Sequence, residues 1–219
     1  MSEAVSAFLL VYAGLFPIVN PLGSAPVFLS LTRRIEPATR HRMAWKVARN
    51  GFFLLLGSIL IGSHILTFFG ITIPVVRVAG GLVVTVFGWR LLNTGEGDLQ
   101  PEGAAEGAPL PAQVDAFYPL TMPLTVGPGS IAVAVTLGSQ RPALESFGQA
   151  VVLGLAALLG LLAVVATVYI AYRFADRLGQ VLGQAGTDVM VRLSAFLLLC
   201  IGIQILWSGW SALMHLPPV

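Results

Sequence analysis

Two stretches punctuated by proline and glycine hold the residues best suited to chemistry in this chain. The first reads Phe16-Pro17-Ile18-Val19-Asn20-Pro21-Leu22-Gly23-Ser24-Ala25-Pro26. The second reads Tyr118-Pro119-Leu120-Thr121-Met122-Pro123-Leu124-Thr125-Val126-Gly127-Pro128-Gly129-Ser130. Both sit inside long uncharged runs. An interior proline removes one backbone donor and frees a carbonyl on the preceding turn, at roughly 3 kcal/mol or more if nothing compensates. Hydrocarbon cannot satisfy those groups, so broken backbone at membrane depth persists only where it is buried in protein or lines a wet cavity. The chemistry on offer is therefore solute binding by the backbone: amides at the start of a half-helix hold an anionic group, and unwound carbonyls hold a cation.

The candidate substrate-binding residues are Asn20, Pro21, Gly23 and Ser24 in the first stretch, with Thr121, Pro123, Thr125, Gly127, Pro128, Gly129 and Ser130 in the second. Asn20 stands apart, because its amide has no local bonding habit in a helix interior and is costly if left unpaired in hydrocarbon. Asn20→Ala and Gly129→Leu are each expected to abolish transport while leaving folding largely intact. Ser58, Ser63, Thr67, Thr85 and Thr167 read instead as structural, bonding to their own helix backbone. Arg77 and Arg192 each stand near the start of an apolar stretch, where a cation opposes the helix dipole. They are candidates for a gate or an ion pair, with snorkelling to headgroups as the alternative. His64 reads as a packing histidine.

What is missing narrows the chemistry further. No Asp or Glu lies deep in an apolar run, so the usual carboxylate carrier of a proton-coupled pump is absent and a strongly charged substrate is disfavoured. There is no GxxxxGK[ST] for ATP, no HExxH, no GxSxG elbow and no paired intramembrane aspartate, so no enzyme is expected. The single Cys200 excludes an intrachain disulfide and a Cys-rich metal site. No cofactor or metal is called for, and a coupling ion, Na+ or H+, is left open.

The elements that must position these residues are membrane helices. Of 219 residues, 56% are hydrophobic and only 10% charged, and the mean hydropathy of +0.86 is far above that of a soluble domain. Uncharged runs cover residues 4–32, 50–76, 116–140, 146–172 and 193–219, and about 20 apolar residues cross the hydrocarbon. The Gly70-Ile71-Thr72-Ile73-Pro74 turn divides the second run. Six spans follow, near 5–32, 47–69, 74–92, 116–139, 147–172 and 190–213. A nucleic-acid partner is excluded; the bilayer itself and a small solute are the expected partners, and a homo-oligomer remains open. Ten of the 12 Lys and Arg residues fall between spans one and two, three and four, or five and six, against Arg77 and Arg141 on the other side. The positive-inside rule then puts both termini outside.

The chain divides into residues 1–92 and 116–219, joined by an acidic, Pro/Gly-rich stretch over 93–115 that reads as a flexible cytoplasmic linker. At an offset of 102 residues the aromatic, Pro, Pro and Leu of Phe16-Pro17/Pro21-Leu22 recur as Tyr118-Pro119/Pro123-Leu124. Each half closes with an Arg followed by an apolar stretch holding Gly88 or Gly202. Three helices per half is odd, so the second copy must enter the membrane upside down. The expected fold is an all-α membrane protein of six transmembrane helices, two inverted three-helix repeats with helices 1 and 4 broken at the Pro/Gly motifs. Ala156-xxx-Gly160 and Gly80-Gly81 read as close-packing surfaces between helices.

At these residues the sequence resembles a known family. The stretch from Leu15 to Leu29, with its Asn20-Pro21-Leu22-Gly23, and the stretch from Pro119 to Ile131, with its Gly127-Pro128-Gly129, look like the two signature segments of the MarC family of bacterial and archaeal inner-membrane proteins. The similarity in spacing extends over nearly the whole chain. The resemblance implies a multi-pass protein of a bacterial-type inner membrane and, since some members are described as transporters of small neutral amino acids, amino-acid transport. The leading expectation is a secondary transporter or exporter of small neutral or zwitterionic solutes such as glycine, alanine and serine. A passive small-solute channel, or a non-transporting stress-related membrane scaffold using the basic segment Arg33 to Arg49, are the alternatives.

Overall fold

In the computed structural model the described residues, 2–93, 115–139 and 147–214, are almost entirely helical. Seven α-helices follow one another: α1 (Glu3–Val19), α2 (Pro21–Leu31), α3 (Pro37–Phe68), α4 (Ile73–Asn93), α5 (Pro128–Ser139), α6 (Phe147–Arg173) and α7 (Ala175–Met214). A π-helical segment, Leu120–Thr125, precedes α5. Five stretches are long and apolar enough to cross a membrane: Glu3–Leu31 (α1 with α2), α3, α4, α6 and Ala185–Met214 of α7; α5 is shorter but also apolar. At about 1.5 Å per residue α5 rises only some 18 Å, well short of the ~30 Å hydrocarbon layer. The acidic linker expected over 93–115 lies, apart from its two end residues, outside the described residues, as does Arg141.

Both expected breaks are present, though not where every proline falls. Pro17 and Pro26 are carried inside continuing helices, and the first interruption is confined to Asn20, which adopts a left-handed conformation with φ 47°. In the second half the interruption is longer, with Met122 and Val126 in extended backbone. Two helix starts also differ from expectation. The second span begins at Pro37, ten residues early, because an extension of α3 carries Arg42, Lys46 and Arg49 on one face and buries Arg40, Met43, Ala44, Val47 and Ala48 on the other. The last helix begins at Ala175 and bends at Gly183, φ 62°, so Arg192 lies well inside α7 and not in its first turn.

Helix directions follow from side-chain meetings. Gln149 donates to Glu3 at 2.8 Å, Gly160 faces the backbone of Phe8, and Phe28 stacks on Tyr172 at 4.4 Å, so the α1–α2 pair runs parallel to α6. Trp45 meets Tyr169 edge-on at 5.6 Å and Arg40 pairs with Asp176 at the start of α7, so α3 runs antiparallel to α6. That ion pair ties three elements together, because Arg40, almost fully buried, also donates to the Ile35 carbonyl at the α2–α3 turn.

The α4–α7 contact is set by glycines at a single antiparallel register. Gly81 faces Leu206, Gly88 faces Leu199, Gly202 faces Thr85 and Gly209 faces Val78. A Cβ at Gly88 would come within 3.0 Å of the Ala195 carbonyl oxygen, and one at Gly202 within 2.9 Å of Thr85 Cα. Small residues thus bring the two backbones together where no hydrophobic driving force acts. Gly80 similarly admits Ala132 of α5. The structural reading of the spans' hydroxyls holds for Ser58, Thr67, Thr85 and Thr167, each of which donates to the carbonyl four residues back. Gly81→Val and Gly202→Val should each destabilise the fold by about 1–3 kcal/mol through overpacking. Gly154→Ala, with open space around its Cβ, should stay within about 0.5 kcal/mol; thermal unfolding in detergent checks all three.

Candidate functional site

The two breaks meet. One chamber of about 90 Å³ is lined by Asn20, Gly23 and Ser24 with Pro119, Pro123 and Leu198. A second, of about 280 Å³, is lined by Thr125, Gly127, Pro128, Gly129 and Ser130 together with α4 residues from Leu82 to Phe87. Ile18, Phe87, Pro123, Leu124 and Leu198 belong to both chambers, so the two are contiguous. Of the eleven residues expected at the site, nine line this space. Pro21 and Thr121 do not: both are fully buried. Pro21 is the first residue of α2, where its missing N–H costs nothing.

Each break is satisfied locally by its own sequence. Asn20 accepts from the Gly23 amide at 3.2 Å, and its carbonyl accepts from the Ser24 amide at 3.0 Å and the Ser24 hydroxyl at 2.8 Å. Asn20 is therefore the N-cap of α2, with its Oδ1 committed, and the residue lines the smaller chamber. Asparagine is among the few residues that tolerate the left-handed region without a glycine. In the second break Thr121 donates to Ala116 and Thr125 to Leu120, each five residues back and each at 2.7 Å. Those hydroxyls add to the five-residue amide–carbonyl bonds of the wide π turn, such as Met122 to Phe117 and Val126 to Thr121. Thr121 thus supports the backbone and does not face a solute.

The second half-helix starts at Pro128, which makes Gly127-Pro128 of α5 the counterpart of Asn20-Pro21 of α2, each with proline first. The offset is 107 residues, not the 102 that matched Pro21 with Pro123. The π-helical segment lies between Pro119 and Pro128, whereas a single residue, Asn20, separates α1 from α2. Ile131 donates back to Gly127, and Ser130 Oγ donates to the same carbonyl at 2.9 Å. Among the described residues no acceptor meets the amides of Gly127, Gly129 or Ser130. Gly129 is also a packing point, since a Cβ there would collide with Val84. Contrary to the sequence reading, Gly129→Leu would therefore disturb the α4–α5 contact as well as the chamber.

One site residue escaped the sequence reading. Tyr172, buried near the end of α6, places its hydroxyl 2.8 Å from Thr125 Oγ1 and beside Ser24, with its ring on Phe28. Thr125 already donates to Leu120, so the phenol donates to Thr125. A tyrosine at the end of an apolar run reads as an interfacial anchor, and only the fold shows it bridging the two breaks. Arg77 and Arg192 are not at the site: Arg77 packs against Gly209, Arg192 is exposed, and neither forms an ion pair among the described residues. Among those residues no cluster could hold a metal ion.

The fold and site together define a polytopic helical membrane protein with two discontinuous helices meeting at an internal cavity. The chain belongs to the MarC family: the family described as MarC family integral membrane protein matches over residues 5–214. It is 31% identical over 199 residues to the inner membrane protein MarC of Escherichia coli O1:K1, covering 89% of this chain and 90% of that protein. The MarC proteins of Salmonella typhimurium LT2 and Salmonella typhi show the same identity and coverage. No solved structure matches.

The dual role of Asn20 separates two substitutions. Asn20→Ala should cost about 1–2 kcal/mol by removing the cap and losing asparagine's tolerance of positive φ, whereas Asn20→Gly should cost only about a few tenths. Tyr172→Phe should cost about 0.5–1.5 kcal/mol, the worth of one buried hydrogen bond. Thermal melts of purified protein rank the three.

Proposed function

We propose that this protein is a secondary transporter or exporter of small neutral or zwitterionic solutes, amino acids such as glycine, alanine and serine foremost, in a bacterial-type inner membrane. The observation that carries the reading is the convergence of two half-helix starts, α2 at Asn20-Pro21 and α5 at Gly127-Pro128, on one internal cavity that contains no charged side chain. The free amides of Gly127, Gly129 and Ser130 and the positive end of α5 suit a carboxylate. The hydroxyl oxygens and the surplus carbonyl lone pairs suit an ammonium, and a zwitterion needs no buried counter-charge.

The inverted-repeat reading draws support from the packing. α2 and α5 run in opposite directions along the helices that flank them. Exchanging the halves at an offset of 114 residues turns the Gly88–Leu199 contact into Gly202–Thr85, two contacts that are both present. In this reading the π-helical segment and α5 together make up the fourth span, so the short α5 need not cross alone. Both termini then lie outside, the orientation favoured by the distribution of Lys and Arg. Rocking of one half against the other about the shared cavity would alternate its access.

Reconstitution into liposomes tests this. Labelled glycine, alanine and serine should enter saturably and exchange in counterflow, with a dependence on an imposed Na+ or H+ gradient that identifies the coupling ion. Asn20→Gly, which keeps the helix start but removes the side-chain amide of a residue that lines the chamber, should lower uptake at least about tenfold with little change in melting temperature. Non-saturable flux without counterflow would favour a passive channel. Absence of both binding and flux in folded protein would favour a scaffold.

A further inference from the structure

We infer that the cavity selects solutes with an aliphatic side chain over their hydroxylated isosteres, so that valine-like amino acids are preferred to threonine and serine. This rests on the transport reading above and narrows its substrate class. The space between the two half-helix starts is walled by Ile18, Phe87, Pro123, Leu124 and Leu198, the five residues common to both chambers, and none offers a side-chain hydrogen bond. The hydroxyls around it have already committed their protons: Ser24 to Asn20, Thr125 to Leu120 and Ser130 to Gly127. Ser24 and Thr125 are moreover turned toward the Tyr172 phenol. The α5 amides that remain lie at the start of that helix, where a substrate carboxylate would take them, and the Asn20 amide lies at the other helix start, outside the five-residue wall.

A substrate held by its carboxylate at the start of α5 therefore projects its side chain into a wall of hydrocarbon. A methyl group against that wall exchanges water for apolar contact, whereas a hydroxyl gives up its hydration against five residues that offer it no side-chain hydrogen bond. Valine and threonine have nearly the same shape and differ by that one group, so they report the chemistry of the wall and not its size.

The deciding experiment measures competing uptake of labelled valine and threonine by proteoliposomes of the intact protein. Wild type should favour valine by on the order of 10- to 100-fold in kcat/KM, the range an apolar pocket achieves against a hydroxyl. Ile18→Thr, and independently Leu198→Thr, should bring the ratio toward one while melting temperatures show that the variants fold. Equal uptake of the two, or preference for threonine or serine, would overturn the inference and leave the transport reading standing. No uptake of any amino acid by folded protein would defeat the transport reading, and the inference with it.

Discussion

Everything in this structure depends on the rule that a backbone polar group in hydrocarbon must find its partner inside the protein. The chain breaks that rule's simplest solution, the continuous helix, twice. At Asn20 one residue in the left-handed region lets its own side chain and carbonyl receive the amide of Gly23 and the amide and hydroxyl of Ser24. Across Pro119 to Val126 the repair is longer, with amides and threonine hydroxyls reaching carbonyls five residues back. Neither repair is complete. The residues at the start of α5 line the cavity, and their leftover amides are the feature on which the proposed binding of a polar solute rests.

The surrounding helices follow from the need to bury the breaks. α3 and α6 cross antiparallel on one side, and α4 and α7 pack antiparallel on the other through glycines on both. Between them the two interrupted segments come together around cavities with mainly apolar linings. The large apolar residues left outside, among them Phe53, Leu155 and Trp207, face a solvent that is itself hydrocarbon, which is why their exposure costs nothing here. The Arg40–Asp176 pair fastens the α2–α3 turn to the junction of α6 and α7.

Tyr172 and Thr121 show how far local reasoning reaches. Both are polar groups in apolar surroundings, and by type either could touch a solute. The threonine is taken up entirely by the backbone of its own segment, a matter of five residues. The tyrosine acts across 47 residues of sequence, joining Thr125 to α6 beside Ser24. An interaction of the first kind is encoded locally once the π turn is recognised; one of the second exists only when two helices are placed side by side.

The sequence by itself determined that this is a multi-pass helical membrane protein of the MarC family, that two of its apolar segments are interrupted, and which residues lie at the interruptions. Those properties rest on composition, on proline's missing donor and on glycine's missing side chain, none of which needs a partner element. Tertiary structure decided the rest. It confined the first break to Asn20 while Pro17 and Pro26 stayed helical, since a helix continues past a proline when neighbours satisfy the freed carbonyl. It set the starts of the two half-helices at Pro21 and Pro128, with Pro123 left inside the π-helical segment. It also withdrew Thr121, Arg77 and Arg192 from the cavity and put Tyr172 beside it, since which side chains meet is fixed by how helices pack.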